Sequence, residues 1–218
     1  MWDHVAMDPM TKLVVALEVG KRTEEQTQRL VQQAKERLAP GWLPAFFSDA
    51  YAAYPQAILE AFGHRYPVPR RGPKGRRPKP RLRCPRGLVY AQVKKVYRGK
   101  RVERVEIRPI FGKAKLAATL KRLGFNQVNT SAIERHNNTS RQWDRRQTRK
   151  SLGFSKEGRY HRWMRWLATT LYNFCWDHSG LRQREEGKVL HRSPAVAAEI
   201  TDHIWSVREW LLCPVLGR

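Results

Sequence analysis

Two acidic residues have types and positions that could support metal-dependent chemistry. Asp49 follows a short apolar run, residues 43–48, which is predicted to be a buried strand, and it precedes a helix-prone segment at 51–62. Glu134 comes one turn into a polar helix predicted from about residue 132 to 150. Carboxylates are the ligands that hard cations such as Mg²⁺ take. From the residues alone, simpler roles are favoured: Asp49 as a helix N-cap, and Glu134 on a solvated face or near the positive end of the helix dipole.

The helix that carries Glu134 also carries side chains suited to phosphate contacts. It is predicted to start after a cluster of good N-caps, Asn129-Thr130-Ser131. Four residues fall at i+3, i+4, i+7 and i+11 from Glu134, on or near one helix face: Asn137, Asn138, Arg141 and Arg145. We interpret this face as a phosphate clamp, and the alternative is a basic solvated face. His136 is predicted to be structural or to contact phosphate, and Trp143 to pack rather than to stack on a base.

The balance of charge predicts a polyanionic partner. The 218 residues include 43 Lys and Arg against 19 Asp and Glu, for a formal net charge of +24. Residues 64–101 hold 15 basic residues and no acidic one, and 135–165 hold 10 basic and 2 acidic, whereas 1–63 hold 6 basic and 8 acidic. The two basic stretches are predicted to bind DNA through Arg76, Arg77, Lys79, Asn137, Arg141, Arg145, Arg146 and Lys150. Composition alone leaves open a basic RNA binder of the ribosomal type.

Cysteine usage and the apolar runs argue against several other classes of protein. Cys84, Cys175 and Cys213 form no CxxC pair, so neither a disulfide framework nor a zinc ribbon is predicted, and a reducing compartment fits best. The N-terminus lacks the pattern of a signal peptide. The most apolar stretch, residues 163–176, contains Arg165 and is too short to span a bilayer. We therefore expect a cytoplasmic protein with no membrane role.

The N-terminal third predicts strands and a capped helix. Two short apolar runs, at residues 2–7 and 11–19, flank Asp8-Pro9-Met10, a pattern typical of an antiparallel hairpin. Thr23, with Gln26 three residues on, has the spacing of a capping box and predicts an amphipathic helix after it.

The middle of the chain predicts a basic loop followed by a second hairpin. The Pro-, Gly- and Arg-rich segment 67–87 cannot pack a core and is predicted to be an exposed, poorly ordered basic loop, or merely a solvated one. Runs at residues 88–97 and 102–110 flank Arg98-Gly99-Lys100 and predict a β-hairpin. A short helix is predicted around residues 113–123.

The C-terminal third predicts one broad apolar helix face that packs in the core. Its members recur at i, i+3, i+4, i+7, i+8 and i+11: Trp163, Trp166, Leu167, Thr170, Leu171 and Phe174. We predict one domain over residues 1–178 and a helical tail over 179–218.

Several motifs occur together in an order that resembles one protein family. The two central ones are Phe47-Ser48-Asp49-Ala50-Tyr51 and the run from Asn129 to Asn137 that contains Glu134-Arg135-His136. Others are Gly20-Lys21-Arg22, Phe154-Ser155-Lys156, Tyr172-Asn173-Phe174, Ser193-Pro194-Ala195, Thr201-Asp202-His203 and Trp205. The set resembles the DDE transposases of the shortest bacterial insertion elements, the insertion-sequence-one type, within the retroviral-integrase, ribonuclease H-like superfamily. The resemblance runs from Trp2 almost to the end of the chain.

The resemblance implies an enzyme that transfers phosphoryl groups on DNA with two metal ions. Asp49 would be the second metal-binding and catalytic carboxylate and Glu134 the third, 85 residues apart. Two Mg²⁺ ions, or Mn²⁺ as a substitute, roughly 3.5–4 Å apart would activate the attacking oxygen and stabilise the leaving one. Arg141 would contact DNA beside the scissile phosphate. The implied partners are the element ends and the target DNA, with a homo-oligomer assembled on DNA at the bacterial nucleoid.

The resemblance also implies the fold: an α/β, ribonuclease H-like domain, a mixed sheet flanked by helices, with a basic loop and β-hairpin inserted at about 64–110. The strand with the first catalytic aspartate is expected upstream of this chain, whether through truncation, a split reading frame or decay, and Asp8 and Asp3 are weaker substitutes. We therefore expect little cleavage or strand transfer from this chain alone. Two rivals remain, a non-catalytic DNA-binding remnant or inhibitor of transposition, and a nuclease or resolvase that never joins strands.

Overall fold

The chain is an α/β protein with a mixed three-stranded sheet flanked by helices, and the computed structural model describes residues 1–69, 72, 78–148 and 152–214. Two units are distinguished: a terminal unit, Met1–Lys21 with Ser131–Arg218, and a central unit, Arg22–Thr130. The strands are β1 (Trp2–Met7), β2 (Val14–Gly20), β3 (Ala45–Asp49), β4 (His64–Tyr66), β5 (Arg81–Arg83), β6 (Val89–Arg98), β7 (Arg101–Phe111), β8 (Gln183–Glu185) and β9 (Lys188–Leu190). The helices are α1 (Glu24–Glu36), α2 (Ala53–Phe62), α3 (Lys113–Arg122), α4 (Ser131–Trp143), α5 (Gly158–Phe174), α6 (Pro194–Ala197) and α7 (Val207–Leu212).

The sheet of the central unit has the order β3-β6-β7. Strand β3 runs parallel to β6, and β6 runs antiparallel to β7. The predicted hairpin is confirmed, and Gly99 takes the positive φ of 62° that its tight turn needs. The predicted strand before Asp49 is also confirmed, and it extends one residue further, so that Asp49 is its last residue and lies opposite Val93.

Helices cover the central sheet through apolar contacts. Thr23 caps α1 as its spacing predicts, since its side chain accepts a hydrogen bond from the backbone N–H of Gln26. Helix α1 packs on α2, and a buried cluster forms where Ile58 and Phe62 of α2 meet Leu88 and Tyr90. Helix α3, also predicted, contributes Leu116 and Leu120 to a second cluster around Val93. The middle of the sheet therefore contacts two apolar clusters.

The basic segment before the hairpin is partly paired. Strand β4 pairs antiparallel with β5, His64 opposite Arg83, so a predicted loop contains a short strand. The prediction of an exposed, poorly ordered loop over 67–87 was therefore wrong at β5, because two short strands satisfy each other's backbone groups there. Residues 70, 71 and 73–77 lie outside the described ranges.

The terminal unit begins with the predicted hairpin, β1 paired antiparallel with β2. Asp8 closes its turn: the carboxylate accepts hydrogen bonds from the backbone N–H groups of Met10 and Thr11, at 3.0 and 3.2 Å, and from the Thr11 hydroxyl at 2.6 Å. Asp8 therefore acts in this structure as a turn residue.

The buried face of α5 is polar, and the predicted apolar core stripe was wrong in its orientation. Trp163 is 59% exposed, and Trp166, Leu167, Thr170, Leu171 and Phe174 are only partly buried. The fully buried members are instead His161, Arg165, Thr169, Tyr172 and Asn173. The physical reason is that residues of β1 and β2 pair with three of these side chains: Asp3 with His161 and Arg165, and Val14 with Asn173. These contacts offset the cost of burying the polar groups.

The residues after α5 form short elements. The predicted helical tail contains α6 and α7, but it also contains the hairpin β8–β9, so the tail is mixed. Ser206 caps α7 in a reciprocal capping box with Glu209. Among the described residues, no helix has the length and apolar content needed to cross a membrane.

Candidate nucleic-acid interface and carboxylate positions

Asp49 lies at the carboxyl end of a parallel strand and points its charge toward solvent. Its side chain is 62% exposed. One carboxylate oxygen, Oδ1, accepts a hydrogen bond from the backbone N–H of Tyr51 at 3.3 Å, and Oδ2 lies 3.5 Å from the guanidinium of Arg22. Helix α2 is capped at Ala52 without a side-chain hydrogen bond, so the N-cap role for Asp49 was wrong. An exposed carboxylate at this edge of a sheet is placed to bind a cation or a ligand.

Arg22 and Tyr51 form a small platform beside Asp49. The guanidinium of Arg22 lies 4.4 Å from the centre of the Tyr51 ring, and the Tyr51 hydroxyl donates a hydrogen bond to the Arg22 carbonyl at 3.2 Å. Arg22 lies 27 residues before Asp49, and its spacing in the sequence gives no signal of this contact. The platform places one cationic group within reach of any anion that approaches Asp49.

A buried polar network supports the strand end from behind. The Tyr90 hydroxyl lies 2.9 Å from Ser48 Oγ and accepts a hydrogen bond from Gln92 Nε2 at 2.8 Å. Gln92 Nε2 also donates to the Tyr51 carbonyl at 3.1 Å. Burial raises the pKa of Tyr90 despite the hydrogen bonds with Ser48 and Gln92, so its hydroxyl stays protonated. The network thus fixes the backbone on both sides of Asp49, which sequence reasoning missed because Tyr90 and Gln92 lie on another strand.

Tyr54 adds a second neutral phenol under the same site. Burial is the largest cause of its raised pKa, and the charge of Asp49 is the next. The ring also packs edge-on against Tyr51, with the ring centres 6.0 Å apart. Two neutral phenols, Tyr54 and Tyr90, therefore lie close to the strand end that carries Asp49.

Glu134, the other predicted metal-binding carboxylate, lies in the terminal unit. It is exposed in the first turn of α4, the position where a carboxylate is favoured by the helix dipole. The structure places Asp49 in the central unit and Glu134 in the terminal unit. Among the described residues, no group of three His, Cys, Asp or Glu side chains could hold a metal ion.

Helix α4 carries fewer of the predicted clamp residues than expected. It ends at Trp143, whereas the prediction extended it to residue 150. Asp144 ends it by capping a 3-10 turn, Arg145–Gln147, where its Oδ1 accepts a hydrogen bond from the Arg146 backbone N–H at 2.9 Å. The i+11 position of Arg145 on the helix face was therefore wrong. The sequence signal was Asp144 itself, a good cap in the middle of a predicted helix.

The remaining clamp residues are accessible. Asn137 and Arg141 are partly exposed on α4, and Arg141 donates a hydrogen bond to Asn138 Oδ1 at 3.3 Å. Arg145 and Arg146 are exposed on the 3-10 turn, and Arg146 also donates to Ser155 Oγ at 2.9 Å. Lys79 is exposed before β5. Arg76, Arg77 and Lys150 lie outside the described residues.

A basic ribbon extends from the central sheet. Strand β3 ends opposite Val93, so within the described ranges residues 94–106 form a two-stranded segment of β6 and β7, which we call the basic ribbon. Arg98, Lys100 and Arg101 at its tip are exposed, and Arg104 is exposed while paired with Glu106 at 2.8 Å. A two-stranded ribbon has the width that the major groove of DNA admits.

Asp3, the other substitute considered for a first catalytic carboxylate, is held in a buried ion pair. Its Oδ2 lies 2.9 Å from Arg165 Nε and its Oδ1 lies 3.2 Å from His161 Nε2, and Gln147 Nε2 also donates to it. Arg165 is only 2% exposed. Asp3 therefore neutralises a buried guanidinium in the terminal unit, and sequence spacing gave no sign of a pair 162 residues apart.

Comparison with models of known protein families, with curated proteins and with solved structures finds no match to this chain.

Proposed function

We propose that this chain is the ribonuclease H-like catalytic part of a DNA transposase of the insertion-sequence type. The observation that carries the proposal is Asp49: a solvent-facing carboxylate at the end of a parallel strand, backed by a buried network, in a chain with a net charge of +24. A polyanionic substrate explains the positive charge, and cation binding explains an acid kept exposed within it.

The implied cofactor is Mg²⁺, with Mn²⁺ as a substitute. Asp49 fits a hard cation through its carboxylate oxygens, and its contact with Arg22 at 3.5 Å is a weak surface ion pair that a metal can displace. Glu134, the third carboxylate in the sequence resemblance, is proposed as a further metal ligand on that resemblance alone. When bound, the ions supply an activated attacking oxygen and stabilise the departing one.

The side chains of this chain then position DNA. Arg141 and Arg146 bind phosphates beside α4, and the basic ribbon binds a further part of the duplex through Arg98, Lys100 and Arg101. The protonated Tyr90 and its partners hold Asp49 in place. We further propose that the protein works as a homo-oligomer on DNA, at the nucleoid of a bacterial cell, with element ends and target as its partners.

A non-catalytic DNA-binding protein is the second candidate. The exposed basic ribbon favours it, because groove and phosphate binding need no carboxylate. A nuclease that hydrolyses DNA without joining it is a third reading of the same carboxylates.

Labelled oligonucleotides with and without Mg²⁺ or Mn²⁺ separate these candidates. Cleavage together with joining identifies the transposase, and cleavage alone identifies the nuclease. Because little activity is expected from this chain by itself, the binder is identified only where a version extended upstream also shifts the DNA in a gel without reacting with it. Asp49→Asn and Glu134→Gln should each abolish metal-dependent chemistry and leave DNA affinity in place. Asp202→Asn, at a carboxylate 93% exposed elsewhere, is the matched control. Full activity of Asp49→Asn would show that Asp49 is not a metal-binding catalytic residue.

A further inference from the structure

Strand β7 lies at one edge of the central sheet, and within the described ranges no strand pairs with its outer side. Every residue from 101 to 108 is exposed except Glu106, which is partly buried. Pro109 has no N–H, and in an edge strand the nitrogen of a proline faces away from the neighbouring strand. Because the direction of the backbone groups alternates along a strand, the N–H and C=O groups of Val105 and Ile107 face outward as well. These groups can pair with a further strand.

The β6–β7 hairpin has one exposed face that is largely apolar. Val93 and Tyr97 share a face of β6, and Ile107 and Val102 lie directly opposite them on β7. Val93 is buried in the cluster that α3 covers, whereas four apolar residues on the same face are not buried. Tyr97, Val102, Val105 and Ile107 are 58%, 48%, 53% and 40% exposed. Contiguous exposed apolar side chains indicate a contact with another molecule.

The charged side chains of β7 alternate with these apolar ones. Glu106 lies between Arg104 and Arg108 and pairs with both, at 2.8 and 3.0 Å. Hydrogen bonds from Arg104 and Arg108 lower the pKa of Glu106, so its carboxylate is charged at neutral pH. In an antiparallel pair of two β7 strands with a two-fold axis at Val105, Arg104 of each copy lies opposite Glu106 of the other. Two pairs of opposite charge then form across the axis.

Other positions of the two-fold axis are less favourable. An axis at Arg104 or at Glu106 places identical charges directly opposite each other, which destabilises a strand pair. An axis at Ile107 places Pro109 opposite Val105, and the missing N–H removes a ladder hydrogen bond on each side. The axis at Val105 combines opposite charges, an apolar contact between the two valines and no proline among the paired residues 103–107.

We propose that β7 is a dimer interface, in which residues 103–107 of two copies pair antiparallel about a two-fold axis at Val105 and join the two central sheets. Such a contact is self-complementary, because each copy supplies both members of every pair. The inference rests on the proposed homo-oligomer on DNA and names the surface through which two copies meet. The paired strip has fewer residues than the roughly 20–30 a side of a stable interface, so binding of both copies to one duplex supports it.

The same axis sets the distance between the tips of the two basic ribbons. Lys100 precedes Val105 by five residues, so the two copies of Lys100 would lie about 33 Å apart at the rise of antiparallel strands. One turn of B-DNA is about 34 Å long. Two tips at this distance can contact phosphates on one face of a duplex, one helical turn apart.

Cross-linking through one introduced cysteine tests the position of the axis. In a chain whose three cysteines are replaced with Ala, Val105→Cys should give a dimer with a short bis-maleimide, because opposite Cβ atoms lie about 5 Å apart. Val102→Cys is the matched control, since Val102 is another exposed valine of β7 and its two copies would lie about 20 Å apart. We expect little or no dimer from the control. Equal yields would show random collision and would overturn the proposal.

Charge reversal in the chain with its native cysteines gives an independent test. Arg104→Glu and Glu106→Arg each place like charges opposite each other across the axis, so each should weaken self-association on a duplex about tenfold. A mixture of the two variants restores both opposite-charge pairs between copies and should recover the dimer. Neither variant regains its own Arg104–Glu106 ion pair in the mixture, so recovery reports a contact between copies. Sedimentation of the mixture without recovery would contradict the interface.

Cross-linking without DNA at high protein concentration separates the interface from the proposed function. A chain that binds duplex but gives equal yields from Val105→Cys and Val102→Cys lacks the interface, and the proposed action on DNA stands. A chain that is cross-linked specifically at Val105→Cys but binds no DNA has the interface, and the proposed function fails.

Discussion

The side chain of Asn173 pairs with the backbone of Val14 as a neighbouring strand would. Asn173 Nδ2 donates to the Val14 carbonyl and Oδ1 accepts from the Val14 N–H, both at 3.0 Å. Both residues are buried, at 7% and 6% exposure. One helix side chain thus satisfies a donor and an acceptor at the start of β2, which fixes α5 against the hairpin.

Replacing Asn173 with Leu should destabilise the terminal unit by about 3 kcal/mol, because two buried backbone groups lose their partners. The free energy of unfolding from urea denaturation measures the effect. Asn138→Leu, at an exposed position of α4, should change it by less than about 0.5 kcal/mol. Equal losses in the two variants would contradict the role of Asn173.

The pair between Asp3 and Arg165 predicts that losing both partners costs less than the sum of losing each one. Asp3→Ala leaves the buried guanidinium with only the more distant Asp144 carboxylate, 3.8 Å away, and should cost about 3 kcal/mol. The double variant Asp3→Ala with Arg165→Met should lose less stability than the two single variants together, because it no longer buries a guanidinium that has lost its nearest carboxylate. Additive losses in a double-mutant cycle would show that the two residues do not act together.

Local signals predicted the elements that depend on neighbouring residues. The cap at Thr23, the hairpin turn at Gly99 and the strand that ends at Asp49 each require information from only a few positions. The orientation of α5 was not predictable in this way. Arg and Asn are residue types that usually lie on the surface, so the sequence gives no reason to bury Arg165 and Asn173. They are buried because Asp3 and Val14, which are far away in the sequence, pair with them.

In the candidate site, too, some features could be predicted from local sequence and others depend on distant residues. The position of Asp49 at a strand end followed from apolar spacing, and Glu134 near a helix start followed from its cap residues. The Tyr90 and Gln92 network and the Arg22 contact come from tertiary packing, for which the sequence has no local pattern. The metal-binding and DNA-binding roles remain predictions.

His136 makes the stability of the protein depend on pH. Burial is the main cause that lowers its pKa from the ordinary 6.5 to about 4, so the unfolded chain binds a proton more readily than the folded one. Stability should therefore fall as the pH drops from about 6.5 to about 4, by up to about 3 kcal/mol from this group. His136→Gln should show a correspondingly smaller difference in unfolding free energy between pH 7 and pH 4.5. An unchanged difference would rule out His136 as the cause.

His203 should make stability depend on pH in the opposite direction from His136. Its exposed ring lies 2.6 Å from Asp202 Oδ1 and 3.0 Å from Glu209 Oε1, and these hydrogen bonds raise its pKa. Its contribution is present below the ordinary pKa and is lost as the pH rises through the raised value. In His203→Gln, the loss of stability should therefore be greater at pH 5.5 than at pH 8.

Arg141 should matter for DNA binding far more than an arginine outside the basic stretches. Arg141→Ala removes a proposed phosphate contact and should weaken duplex affinity or strand transfer about tenfold, the scale of one charge-assisted contact. Arg182→Ala removes a guanidinium that pairs with Asp177 at 2.6 Å, and should have little effect on DNA. Fluorescence anisotropy with one labelled duplex measures the affinity of both variants. Equal losses of affinity would show that this face of α4 is a basic solvated face and not a phosphate clamp.

If the basic ribbon contacts DNA phosphates, removing its positive charges should change the salt dependence of DNA binding as well as the affinity. Each phosphate neutralised releases condensed counterions, so the slope of log affinity against log salt counts the contacts. Replacing Arg98, Lys100 and Arg101 together with Ala should make that slope shallower by roughly 2–3, since each contact contributes about 0.9. The control replaces Arg29, Arg37 and Arg184, three exposed arginines outside both basic stretches, and equalises the loss of net charge. A ribbon that binds DNA changes the slope only in the first variant. If both variants shift the slope equally, the protein's overall charge attracts DNA and the ribbon makes no contact of its own.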